Sequence, residues 1–265
     1  MPDHQKPLIQ SVERALDILE LIADHERPMK SSAISKALDL HSSTVNNIVR
    51  TLYRRGFLYQ NTSGEYTIGL QCYRLGLLCD RWKVLRQEAQ IHLEELSELT
   101  GDNSILATES GSKLLSIGSA EGSGSIVITK QNPARDHLYC TAIGKVLMAY
   151  SSKDFIDLYR KNIELQQFTS NTITDWNTLE RQFEEILEKG YSFNDQESVV
   201  HVAALAVPVF NEDGSFLCAL GQSFPSFFVE NGLIDIPQRI ALLKQYAGKI
   251  QRDYHGSFSP VEGDA

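Results

Sequence analysis

Apolar residues recur every three or four positions from Ser11 onward. Val12, Ala15, Leu16, Leu19, Ile22 and Ala23 fall on one face of a helix that Pro28 closes. The first ten residues carry Pro2 and Pro7 without periodicity and read as a loose arm. A short second helix starts at Ser31 or Ser32, buries Ile34, Ala37 and Leu38, and ends at Asp39-Leu40. Ser42 stands where an N-cap belongs, ahead of the third helix, STVNNIVRTLYRRG. There Val45, Ile48, Val49 and Leu52 form the apolar stripe, and Gly56 is the stop. Two strand-like runs follow, FLYQ and EYTI, joined through Asn61-Thr62-Ser63-Gly64 as a hairpin. Three small helices and a two-stranded wing in this order predict a winged helix-turn-helix over residues 11–69.

The pattern then changes. A helical stretch from Leu70 to Leu99, broken or kinked near Gly76 or Lys83, turns Ile91, Leu96 and Leu99 inward and ends at Gly101-Asp102. Its first part, 70–84, suits a linker helix. The remainder, 85–255, mixes strands with helices. NSILATE and SKLLSIGSA make a hairpin around Ser110-Gly111, and SIVITK reads as another strand. TAIGKVLMAY opens a helix, Ser151 or Ser152 caps a second, and Thr174 caps a third that Gly190 stops. AALAVPVF and SFLCALGQSF form a last hairpin around Asn211-Glu212-Asp213-Gly214. A helix from Ile236 to Asp253 closes the chain before a frayed tail. Strands joined mostly by hairpins and interleaved with helices predict an antiparallel α+β domain.

Composition narrows the function classes. With 265 residues, 42% hydrophobic and 22% charged, the chain is neither disordered, collagen-like nor a coiled coil. No run approaches the ~18 apolar residues of a membrane span, and MPDHQKPLIQ has no apolar signal core. The four cysteines form no CxxC pair. A reducing, cytoplasmic setting is expected. The net charge of −9 is unevenly placed: through Asp80 there are 9 Lys/Arg and 9 Asp/Glu, and beyond it 16 against 25. An acidic whole thus contains a neutral N-terminal part that can meet a polyanion.

The polar face of the third helix says what that part could do. Ser43, Asn46, Asn47, Arg50 and Arg54 recur at i, i+3, i+4, i+7 and i+11, all hydrogen-bonding and none acidic. Arg55 adds a further charge. Asn and Arg pair bidentately with adenine and guanine edges, and Ser43 and Thr44 can reach bases or phosphates. A solvated helix face is the bland alternative; the helix order and the wing weigh against it. Ser43, Thr44, Asn46, Asn47 and Arg50 are expected at major-groove base edges. Arg54, Arg55 and the wing 61–65 are expected on phosphates or the minor groove.

SVERALDILELIA, SSTVNNIVRTLYRRGF, GEYTIGLQCYRLG, YCTAIGKVLMAY, GYSFNDQE and AALAVPVFNEDG, in that order, resemble the isocitrate lyase regulator (IclR) family of bacterial transcription regulators. The resemblance covers Ser11 to Asp253. It implies a winged helix-turn-helix that dimerises, a linker helix and a C-terminal GAF-like domain binding a small effector. Such proteins act as homodimers or dimers of dimers on palindromic operators near catabolic genes. The chain departs from the family where His-Ala-Thr-Ala is usual, reading Tyr139-Cys140-Thr141-Ala142. It also has Ala203-Ala204 where many members carry a Cys, Gln222-Ser223-Phe224-Pro225 near its last strand, and Asn47 where Arg is common.

For the effector, the start of the Thr141 helix offers the backbone N–H groups of Ala142 and Ile143 and the Thr141 hydroxyl, a ready anion site. Gly144 permits close approach, and Tyr139 gives a hydroxyl with an aromatic wall. By resemblance, Asp195, Ala204 and Ser223 line the same cavity over a floor of Leu114, Leu115 and Ile117. A small carboxylate or aromatic acid is the expected ligand class. Lys145 is expected to point to solvent. His201 stands without a second metal ligand at the right spacing, and neither a metal nor a cofactor is expected. Cys140 precedes a helix N-terminus, which can lower a thiol pKa, but lacks a recognisable base. No catalytic residues and no enzyme activity are expected.

Two further classes stay open. One is a metabolite-binding protein or enzyme whose helix-turn-helix serves dimerisation, and the other a redox regulator using Cys72 and Cys79. A straight helix would hold those two cysteines ~10 Å apart along its axis, too far for a disulfide within one chain.

Overall fold

The computed structural model describes residues 9–25, 27–124 and 137–257. The expected strand at 125–130, most of the N-terminal arm and most of the tail lie outside them. The chain divides into two compact units, 1–80 and 81–265.

The first unit contains α1 (Gln10–Asp24), α2 (Ser31–Ala37), α3 (Ser42–Arg54), the antiparallel hairpin β1 (Leu58–Gln60) and β2 (Tyr66–Ile68), and α4 (Leu70–Gly76). Its core is Ile18, Ile22, Met29, Ile34, Val45, Val49 and Leu58. Ile18, not Val12, Leu16 or Ala23, turns inward from α1, and Ala37 of α2 is exposed. α1 carries two apolar stripes, and its own chain covers one. His41, not Ser42, is the N-cap of α3. Gly56, with φ of +76°, ends that helix, and Gly64, also at +76°, makes the wing turn. α4 is docked on the wing at Gly69, where an added Cβ would lie 2.9 Å from the Leu58 backbone.

The helical stretch 70–99, expected to break or kink near Gly76 or Lys83, is two helices. The break falls at 77–79, beside Gly76, and α5 (Asp80–Thr100) opens the second unit. Leu85, Ala89, Leu93 and Leu96 form its buried stripe, whereas Ile91 and Leu99 face outward. A five-stranded antiparallel sheet follows, ordered β4-β3-β7-β6-β5. Its strands are β3 (Asn103–Ser110), β4 (Lys113–Ala120), β5 (Ser192–Asp195), β6 (Val202–Phe210) and β7 (Phe216–Pro225). The short β5 is not evident from the sequence. Helices cover both faces. On one side α5 and α10 (Ile236–Gly256) pack on Leu106, Leu205, Val207 and Leu220. On the other lie a 3-10 turn (Leu138–Cys140), α6 (Ala142–Ala149), α7 (Lys153–Asn162) and α8 (Trp176–Lys189), over Ala107, Ala206 and Ala219. Asp175, not Thr174, caps α8, accepting from Thr178 N–H at 2.9 Å. A five-residue helix, α9 (Ser226–Glu230), follows β7.

A buried polar cluster ties the sheet to the end of α5. Gln222 Nε2 on β7 donates to Thr100 Oγ1 (2.8 Å) and Ser104 Oγ (3.0 Å), while its Oε1 accepts from Arg239 (3.1 Å). Arg239 also pairs with Asp102 and lies over the Phe224 ring. Every polar group in it has a partner, as burial requires.

Candidate nucleic-acid interface and effector face

Of the polar residues expected on α3, Ser43, Asn46, Asn47, Arg50 and Arg54 are exposed along one side of the helix. Thr44 and Arg55 leave the stripe. Thr44 is half-buried, roughly 200° of helix rotation from Asn46, and Arg55 is the C-cap. Arg27, Lys30, Lys36, Arg50, Arg54 and Arg55 are exposed and form no ion pair with a described residue. In the second unit Lys145, Arg160, Lys189, Arg239 and Lys249 are paired with carboxylates, whereas Lys83, Arg86, Lys153, Lys161, Arg181, Lys244 and Arg252 form no ion pair with a described residue. Of the exposed acids described in the first unit, Glu13, Asp17, Glu20 and Asp24 sit on α1, and Asp39 lies in the turn between α2 and α3. Arg50 and Arg54, on the stripe and without a carboxylate partner among the described residues, together with its hydrogen-bonding side chains, are suited to a polyanion.

The wing tip is less cationic than the expectation for 61–65 required. Asn61 Oδ1 accepts from the backbone N–H groups of Ser63 (3.0 Å) and Glu65 (2.9 Å), and its Nδ2 donates to the Glu65 carboxylate (3.0 Å). Its amide is thus occupied in shaping the turn, and the charge there is negative.

Strand alternation decides which expected effector residues share a face. Ala204 of β6 lies opposite Ser223 of β7 and Asn194 of β5, and Ser223 lies opposite Asn103 of β3. This is the α6 side: a Cβ at Gly221, two residues from Ser223, would lie 2.6 Å from Ile143 Cγ1. Tyr139, Thr141, Ala142, Ile143, Gly144, Ala204 and Ser223 therefore belong to one layer, with Leu114 packed in it.

Leu115 and Asp195 do not belong there. Leu115 pairs with Thr108 and is 51% exposed, on the other side of β4. Asp195 pairs with Ala203 and is exposed, and Ile117 packs on the α5 side. Asn194 takes the inward place expected of Asp195. Its Nδ2 donates to the Cys140 carbonyl at 2.6 Å and its Oδ1 accepts from Glu197 N–H at 3.2 Å.

The start of α6 is tightly fixed. Thr141 Oγ1 accepts from Gly144 N–H at 3.1 Å, a capping bond. Tyr139 is fully buried, and its hydroxyl donates to the Gln166 carbonyl at 2.6 Å, so it forms part of the scaffold. Burial pushes both the Tyr139 hydroxyl and the Cys140 thiol up to about 12, the opposite of an activated thiol. His201 is exposed at φ of +66°, and among the described residues no His/Cys/Asp/Glu group has the arrangement to hold a metal.

Comparison with known proteins decides what carries these two faces. The family model for the IclR helix-turn-helix domain matches residues 11–62, and that for the C-terminal domain of the bacterial transcriptional regulator IclR matches 81–252. The chain belongs to the IclR family. It is a transcription regulator with a helix-turn-helix DNA-binding domain and a C-terminal ligand-binding domain.

This IclR regulator is 31% identical to the HTH-type transcriptional regulator XynR of Escherichia coli over 218 residues, which cover 82% of this chain and 86% of XynR. It is 28% identical to E. coli KdgR over 257 residues, 96% of each chain. Among solved structures, a putative IclR regulator from Silicibacter superposes with a TM-score of 0.80 at 23% identity, over 94% of this chain and 98% of that one. An IclR homologue from Microbacterium hydrocarbonoxydans complexed with 4-hydroxybenzoate superposes with a TM-score of 0.76 at 20% identity, over 93% and 99%. Among the described residues, no helix is long and apolar enough to cross a membrane.

The IclR scaffold holds one feature opposite to expectation. Lys145 on α6 is fully buried, not directed to solvent. Its ammonium donates to both Glu197 oxygens, with Oε2 at 2.6 Å, and to Gln182 Oε1 of α8 at 2.6 Å. Glu197 lies in the β5–β6 connection, whose carbonyls at 196 and 197 accept from the Thr169 and Thr172 hydroxyls at 2.7 and 2.6 Å. A lysine near a helix start has no local mark of burial when its partner is 52 residues away.

Proposed function

We propose that this regulator binds a palindromic operator in the cytoplasm as a homodimer or dimer of dimers, residues 11–69 holding DNA, 70–84 linking and 85–255 sensing a small acid. The α3 stripe, whose Arg50 and Arg54 have no carboxylate partner among the described residues, carries the reading. Ser43, Asn46 and Arg50 face base edges, with Arg54, Arg55 and Lys36 on phosphates. The chain's role is regulatory binding, without turnover of the ligand. A carboxylate or aromatic acid suits the N–H groups at the start of α6, with Ala204 and Ser223 opposite. The 4-hydroxybenzoate complex of the Microbacterium homologue agrees with that class.

The test is selection from a random duplex pool by the purified protein at fixed moderate salt, then screening small acids for release or tightening. One palindromic motif is expected; repeated failure to enrich one, with and without pooled metabolites, refutes the reading. On the enriched duplex, Arg50→Ala should cost about 1–3 kcal/mol and relax preference at one base pair. An equal loss on every sequence would make Arg50 a phosphate contact.

Oligomerisation follows from the uncovered apolar groups of the first unit: Ile9 at the start of α1, Val12 and Leu16 on it, and Leu70 and Tyr73 on α4. A second copy of this chain is the occupant we assign to them. Sedimentation equilibrium should give a dimer or tetramer that Leu16→Glu weakens; a monomer at micromolar concentration refutes it.

A further inference from the structure

The α3 stripe contains two adjacent asparagines with different surroundings. Arg50 Nη2 donates to Asn47 Oδ1 at 3.2 Å, one turn along the helix. Asn46, also exposed, has no side-chain hydrogen bond to a described residue. We infer that Asn47 does not read a base but is a positioning residue, holding the Arg50 guanidinium as a pre-set fork for a guanine, while Asn46 keeps its amide for a base edge. The inference deepens the DNA-binding reading above and rests on it.

The chemistry follows from donor and acceptor counts. Guanidinium has five N–H donors and no acceptor, so one can be held by an amide oxygen while others remain for O6 and N7 of guanine. Arginine is flexible along its stem, and a neighbour that fixes the head before DNA arrives lowers the ordering cost of binding. Adenine recognition by asparagine needs both its oxygen and its NH2. At position 47 the oxygen already faces Arg50. A carboxylate there could do the holding but could not read adenine. Asn47→Asp therefore separates the two roles.

The experiment uses the full-length protein and the duplex it enriches from a random pool. Binding is measured by fluorescence anisotropy at one salt concentration, with all four bases placed in turn at the pair whose preference Arg50→Ala removes. Asn47→Ala should reduce preference at that same pair and weaken binding roughly 2- to 12-fold, the cost of ordering one long side chain. In an Arg50→Ala background it should change nothing further. Asn47→Asp should keep the preference while lowering affinity evenly on all four duplexes, because it adds a negative charge near phosphates. Relaxation at a different pair, or losses that multiply in the double variant, would overturn the inference and leave the DNA-binding reading intact. A wild type that enriches no duplex overturns both. Position 47 is exposed, and circular dichroism of each variant confirms that α3 is still folded.

Discussion

Glu197→Ala should destabilise the second unit by about 3–5 kcal/mol, because it leaves the Lys145 ammonium buried without its carboxylate. Burial pulls Lys145 below its ordinary range and pushes Glu197 above its own, even though each partner opposes the shift. Desolvation thus outweighs attraction at both ends. The pair is a costly way to build a core and a strict way to fix its geometry. The same argument makes Lys145→Met/Glu197→Leu close to neutral, since the uncompensated charge disappears along with the pair. Both tryptophans, Trp82 and Trp176, lie beyond residue 80, so their fluorescence during urea unfolding reports this unit alone. A double variant as unstable as Glu197→Ala would show that the network, not the stranded charge, is what matters.

Gly144→Ala should be nearly as damaging, at roughly 2–4 kcal/mol, through overpacking and loss of a helix cap. An added Cβ would overlap the Leu138 carbonyl and Cα, which are backbone, and would lie 2.5 Å from Thr141 Oγ1. Relief requires the 3-10 turn to separate from α6, which breaks the Thr141 cap. Gly248 on α10 is the control. Its Cβ would meet only the end of the Arg252 side chain at 3.5 Å, so Gly248→Ala should stabilise by about 0.5–1 kcal/mol through helix propensity. Similar unfolding midpoints for the two alanine variants would refute the close-approach account.

What could be read from the sequence was what is locally encoded. The α3 stripe, the Gly56 stop, the wing turn at Gly64 and the hairpin at 211–214 all depend on neighbours a few residues apart, and all are present. The misplacements involve distant partners. On α1 the sequence shows apolar positions on two faces, and only packing against Val45 and Val49 selects Ile18 over Val12. On β4, Leu114 and Leu115 are equivalent as letters. Alternation sends one to each side of the sheet, and the pairing of Leu114 with Glu109 and Leu115 with Thr108 decides which is which. Asn194 and Asp195 pose the same choice on β5, and pairing with β6 settles it. The expectation for the acid comes from the resemblance, which does not fix this register.

Strand β7 has one residue between its two sides. Ser223 faces the α6 layer, and Gln222, its neighbour in the chain, holds the last turn of α5 through Thr100. The two layers are therefore a single peptide unit apart, about 3.3–3.4 Å along the strand. A bond made on one side and a helix end gripped on the other share the same backbone plane, so a twist of that plane moves both together. No chain of intermediaries stands between them: the partition between the α6 layer and the end of α5 is one strand thick.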